Sequence, residues 1–107
     1  MLELEILGNV GADAQKKEID NKLVINFSIA HSYTYKDKDG KEQTVTEWVE
    51  CSKWLKKEQE DKFSEHIKKG VKLLVKGTPS ADAYISKENN KPVGKLHLNV
   101  TSAFLPL

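Results

Sequence analysis

Val45-Thr-Glu-Trp-Val-Glu-Cys-Ser-Lys-Trp-Leu55 is the stretch on which the reading of this chain turns. Its character changes every second residue, which is the period of a β-strand. The odd positions Val49, Cys51 and Leu55 are apolar, with Lys53 between them; the even positions are Trp48, Glu50, Ser52 and Trp54. The apolar set is expected to face an interior. Both tryptophans then fall on the polar side, beside a glutamate and a serine. Two indoles on one solvent face make an apolar patch that calls for a partner.

The flanking sequence supplies the other strands. Leu2-Glu-Leu-Glu-Ile6 alternates and stops at Gly8-Asn-Val-Gly11, read as a bulge or turn. Leu23, Ile25, Phe27 and Ile29 give a second, longer strand, and Lys36-Asp-Lys-Asp-Gly-Lys41 is a hairpin tip. Residues 56–69 lack alternation; Phe63 and Ile67 share a face, and Glu58–Lys62 and Glu65–Lys69 have the spacing of helical ion pairs. Gly70 stands where a helix would be capped, so a helix is predicted there. Val71 to Gly77 is a fourth strand that Pro79 interrupts before Ala81, Ala83 and Ile85 resume it. Glu88-Asn-Asn-Lys-Pro92 is a second tip, and Lys95 to Phe104 a fifth strand. The expectation is an all-β chain: an OB-fold, a five-stranded Greek-key barrel with one α-helix between strands three and four. No repeat, linker or low-complexity segment divides residues 1–107, so one domain is expected.

Composition narrows the classes. At 38% hydrophobic and 31% charged, the 107 residues read as globular. No apolar run approaches the roughly 20 residues of a membrane helix, and Met1-Leu-Glu-Leu-Glu5 lacks the basic and apolar regions of a signal peptide. The single Cys51 permits no intrachain disulfide, which fits a reducing cytoplasm. All seventeen basic residues are lysines, against sixteen acids. Residues 1–50 hold six lysines and ten acids, a net −4; residues 51–107 hold eleven and six, a net +5. A groove built from the second half is expected to be locally positive.

Tyr84 follows the logic of the tryptophans, since it shares parity with Ser80, Asp82 and Ser86 rather than with Ala81, Ala83 and Ile85. Aromatic rings on outward faces of neighbouring strands form a platform on which nucleobases stack at roughly 1–3 kcal/mol each, whatever the base. Lys36, Lys53, Lys76 and Lys87 are candidate phosphate contacts. A subunit interface is the other use such rings can have.

In its motifs the chain resembles the bacterial single-stranded DNA-binding proteins, over nearly its whole length. Leu7-Gly-Asn-Val-Gly-Ala-Asp13 is similar to the family's opening strand and turn, and Asn26-Phe-Ser-Ile-Ala30 to its second strand. Thr46-Glu-Trp48 matches its third-strand signature, and Lys68-Lys-Gly70 followed by Leu74-Val-Lys-Gly77 is similar to its helix exit and fourth strand. The resemblance implies that Tyr35, Trp48, Trp54 and Tyr84 stack DNA bases. Tyr35 shares the inward parity of Phe27 and Ile29, so it faces DNA only if a bulge intervenes or the hairpin has left the barrel. The resemblance further implies single-stranded DNA as partner, a homo-oligomer (tetramer or dimer), a cytoplasmic, nucleoid-associated location, and a role in replication, recombination and repair.

Two departures stand out. Thr78-Pro-Ser-Ala-Asp-Ala83 lacks the family's basic residues, and Phe104-Leu-Pro-Leu107 shows none of the flexible linker and acidic tip that recruit replication and repair proteins. A rival reading is an OB-fold accessory of a primosomal, plasmid or phage system that acts through protein contacts. No enzyme is expected: there is no phosphate loop, no G-x-S-x-G and no carboxylate cluster. No cofactor or metal is expected, because His31, His66 and His97 are scattered and the Asp37/Asp39 pair reads as a turn.

Overall fold

The structure, a computed structural model, describes residues 1–56 and 64–104. Its strands are β1 Leu4–Val10, β2 Gln15–Ile19, β3 Lys22–Lys36, β4 Glu42–Lys56, β5 Lys72–Ile85 and β6 Pro92–Phe104. The sheet order is β1-β5-β6-β4-β3-β2, and β1 also pairs with β3 through Asn9–Ala30 and Val10–Ile29. That last pairing closes a five-stranded barrel, with β2 added outside on β3. All pairings are antiparallel except β4 with β6. This is the OB-fold barrel that the strand pattern predicts.

The interior comes from the inward parity of each strand. Ile25, Phe27 and Ile29 of β3 meet Val49 and Cys51 of β4, with Val10, Leu73, Val75, Leu98 and Val100. Period-two alternation gathers these side chains because each strand has one face on the core and one in water. Beyond the barrel, β3 and β4 continue as a ribbon in unbroken register from Lys22–Lys56 to Lys36–Glu42. The hairpin of β5 and β6 also projects, and residues 80–85 are all exposed. The radius of gyration, 15.9 Å, accordingly exceeds the roughly 13 Å of a compact domain this size.

The α-helix expected over 56–69 is not borne out among the described residues. Lys56 ends β4, residues 57–63 lie outside the described residues, and Ser64–His66 form one 3-10 turn. Tertiary bonds claim the backbone that a helix would pair internally. The Ile67 carbonyl accepts from Ala14 N–H at 3.0 Å, Gly70 N–H donates to the Val10 carbonyl at 2.8 Å, and Lys69 N–H donates to Asp13 Oδ1 at 2.8 Å. Ile67 itself is buried in the core. Gly70 takes a φ of +88°, so the glycine expected to cap a helix turns the chain toward β5 instead.

Three smaller differences have local causes. β2 has five exposed residues and hence no apolar period; its only sequence signal is Asp20-Asn21, whose φ values of 49° and 63° make the tight turn into β3. Pro79 does not break β5, since it pairs with Leu98. Pairing with β1 ends at Gly77. Pro79 therefore lies where β5 has an open edge and a missing N–H is tolerated. The irregularity falls earlier: Lys76 pairs with Ser102 and Gly77 with Val100, leaving Thr101 as a bulge.

Candidate functional site

Cross-strand pairs define one outward face. Asn26 lies opposite Ser52, Glu50 beside His97, and His97 opposite Ser80. Residues paired in this way point to the same side of a sheet. Trp48 and Trp54 share the parity of Glu50 and Ser52, and Tyr84 that of Ser80, so β3, β4, β6 and β5 carry these rings on one surface. Trp48 is 54% exposed, Trp54 47% and Tyr84 56%. Indoles and a phenol so open offer π-faces to water at a cost that a flat apolar ligand removes.

A hydrogen-bonded polar patch, buried at Ser52, stiffens the floor between the indoles. Ser52 Oγ donates to Asn26 Oδ1 at 2.8 Å and lies 3.0 Å from His97 Nε2. Because the hydroxyl hydrogen is directed at Asn26, the imidazole N–H is the donor in the second bond. Ser52, outward by parity, is thus buried by its neighbours on β3 and β6.

Trp48 is seated as well as exposed. A methyl group at Gly11 would lie 2.7 Å from Trp48 Cζ3, 3.1 Å from Cη2 and 3.1 Å from Ser28 Oγ. The six-membered ring therefore rests directly on the bare backbone of Gly11. Gly8 and Gly11 were read as a bulge or turn; β1 does end at Val10 with a bend at Gly11, but both φ values are ordinary, so neither glycine is required for backbone freedom. Each glycine permits a close approach instead, Gly8 beneath the Ala30 carbonyl and Gly11 beneath the indole.

Tyr35 stands apart from this face. No bulge interrupts the β3–β4 ribbon, and Tyr35 pairs with Gln43 on the side opposite Trp48. It is nonetheless 49% exposed, because the ribbon has left the barrel. Tyr33 shares that side and is 48% exposed. It was missed in the sequence because its parity matches the buried Phe27 and Ile29; the signal available was its position between His31 and Tyr35 near a hairpin tip. The ribbon tip is set by Asp37, whose Oδ1 accepts from the N–H groups of Asp39 and Lys41 at 2.9 Å each. The bond from Lys41, then that from Gln43, holds the Asp37 carboxyl below the usual aspartate range. The Asp37/Asp39 pair is therefore a turn, as its sequence suggested.

The four candidate lysines divide. Lys36 and Lys87 are exposed beside the two hairpin tips. Lys76 pairs with Glu3 at 3.5 Å. Lys53 donates to the Thr101 carbonyl at 3.1 Å, while Thr101 Oγ1 donates to the Lys76 carbonyl at 3.0 Å. Lys53 thus braces the bulge on β6. Cys51 lies in the core, where burial, and next the charge of Glu50, pushes its thiol up to about 12; it carries almost no thiolate at neutral pH. Among the described residues, no group of three or more His, Cys, Asp or Glu side chains gathers as a metal site, and no helix is long and apolar enough to cross a membrane.

Known proteins share this architecture. A Plasmodium falciparum SSB in complex with ssDNA superposes with a TM-score of 0.71 at 17% identity, over 97% of this chain and 91% of the other. A small single-stranded DNA-binding protein from Streptomyces coelicolor gives 0.76 at 13% identity, over 99% and 94%. In sequence, single-stranded DNA-binding protein 1 of Chlorobaculum tepidum is 33% identical over 73 residues, 67% of this chain and 44% of that protein. The mitochondrial single-stranded DNA-binding protein of Drosophila melanogaster is 30% identical over 91 residues, 80% and 58% respectively. The chain spans about half the length of these relatives. The model of the single-strand binding protein family matches residues 1–103, and with a closed OB barrel bearing exposed aromatic rings this chain belongs to that family.

Proposed function

We propose that this chain binds single-stranded DNA without sequence preference and performs no catalysis. Bases stack on Trp48, Trp54 and Tyr84, and on Tyr35 around the ribbon. Lys36 and Lys87 supply phosphate contacts, with Lys53 and Lys76 following where DNA displaces their present partners. The observation that carries this reading is the open indole pair on one barrel face, 54% and 47% exposed, within a chain of this family. The biological role is protection of unpaired strands in replication, recombination and repair, by a homo-oligomer in the cytoplasm.

The reading has a direct test. Titration with oligo-dT quenches tryptophan emission, and affinity falls roughly tenfold or more between about 50 and 200 mM salt if three or more phosphates are contacted. Absence of quenching at low salt refutes it. A second reading, an accessory acting through protein contacts, draws support from the engagement of Lys53 and Lys76 and from exposed Asp82. It predicts weak, partner-dependent binding in the same titration.

Gly11→Ala separates ring position from ring identity. The added methyl, 2.7 Å from Cζ3, forces the indole of Trp48 off its seat. In a Trp54→Phe background, where Trp48 is the sole tryptophan, its emission maximum is expected to shift. Oligo-dT binding is expected to weaken by about 1 kcal/mol, within what stacking contributes. Unchanged emission and affinity together would show that the ring does not depend on the glycine.

A further inference from the structure

The ribbon's second face carries, beside Tyr35, two rings that the proposed stacking set leaves unused. His31, Tyr33 and Tyr35 occupy alternate positions of β3, and the unbroken register puts all three on the side away from Trp48. Tyr33 and Tyr35 are about half exposed and His31 is exposed. The His31 and Tyr33 rings are nearly parallel, at 28°, with centroids 6.2 Å apart. Stacked bases rise about 3.4 Å each along a strand, so a base lying between two rings requires roughly twice that. The spacing of this pair is of that order.

The surroundings suit a nucleotide. A cleft of about 290 Å³ lies between His31 and Glu47 of the ribbon and Leu4, Ile6, Val49 and Leu96 at the barrel mouth. Its apolar side chains suit the flat face of a base. Glu47, paired with His31 across the ribbon, faces the rings from the other strand. A carboxylate there accepts from base N–H donors.

From this placement we infer that His31 and Tyr33, continuous with Tyr35, form a second base-binding track, so that the ribbon takes single-stranded DNA on both faces. The inference rests on the single-strand reading above and adds a site to it. Tyr33→Ala is expected to weaken oligo-dT binding roughly fivefold to a hundredfold, as loss of one stacked base does. Tyr33→Phe, which keeps the ring, is expected to bind as the unaltered chain does. An oligo-dT carrying 5-iododeoxyuridine, irradiated on the unaltered protein, is expected to cross-link to Tyr33 or His31.

The other outcomes are distinguishable. Cross-links confined to Trp48 and Trp54, with normal binding by Tyr33→Ala, overturn the second track and leave the platform standing. A drop in oligomeric mass by light scattering in Tyr33→Ala, accompanying the binding loss, overturns it in favour of a subunit contact. No binding of oligo-dT by the unaltered chain removes both the track and the function on which it rests.

Discussion

Replacing Trp48 and Trp54 together by alanine is expected to weaken oligo-dT binding by roughly 2–6 kcal/mol, since each stacked base contributes about 1–3. The low end is about a thirtyfold rise in Kd. The two losses should add. The residues stand six positions apart on β4, about 20 Å along an extended strand, beyond the range at which substitutions usually couple. The fold should survive, because both side chains are half exposed and neither belongs to the core cluster. Trp48 gives up its contact with Gly11, and Trp54 gives up only partial packing. Binding is best read by anisotropy of a labelled oligonucleotide, because the intrinsic reporters are gone. Near-normal affinity in a folded double variant would mean that the open indoles serve some other contact. Loss of the cooperative unfolding transition would mean that they are structural.

That expectation was readable in sequence because β4 alternates cleanly. Val49 and Cys51 are buried and Trp48 and Trp54 exposed, as period two requires. Parity failed where neighbouring strands decide. Ser52 has outward parity yet is covered by Asn26 and His97, which come from β3 and β6. Nothing within β4 announces that pairing. Tyr33 has inward parity yet is open, because the ribbon outruns the barrel and parity there separates two wet faces. Local signals misled at 64–69 for a related reason. Favourable i,i+4 charges support a helix weakly, while Ile67, Lys69 and Gly70 bond to Val10, Ala14 and Asp13 far away in sequence. The candidate lysines show the same limit: a charge can be counted in sequence, but its partner cannot, and Lys53 and Lys76 have partners of their own.

Gly77→Ala is expected to destabilise the barrel by about 3 kcal/mol or more, the upper range for overpacking a site that cannot relax. Gly77 is flanked on both sides, by Leu4 of β1 and Val100 of β6, where the Thr101 bulge bends the sheet. A methyl there would lie 2.8 Å from the Asn99 carbonyl carbon and 3.0 Å from Val100 Cα, with the Asn99 oxygen closer still. These are backbone atoms and cannot swing aside as a side chain would. Relief requires β6 to move away from β5 at the bulge that Lys53 and Thr101 brace, so pairing on that side of the barrel is strained as well. For a domain this size the loss corresponds to a fall in Tm of roughly 12 °C or more. Gly94→Ala is the control within β6, because nothing lies within 4 Å of the added methyl and its φ is ordinary. That variant should be neutral or gain about 0.4–1 kcal/mol through reduced freedom of the unfolded chain. Calorimetry of the pair decides the matter: equal melting temperatures would mean that the barrel yields at its bulge and that the close approach of β5 to β6 is not what requires glycine at position 77.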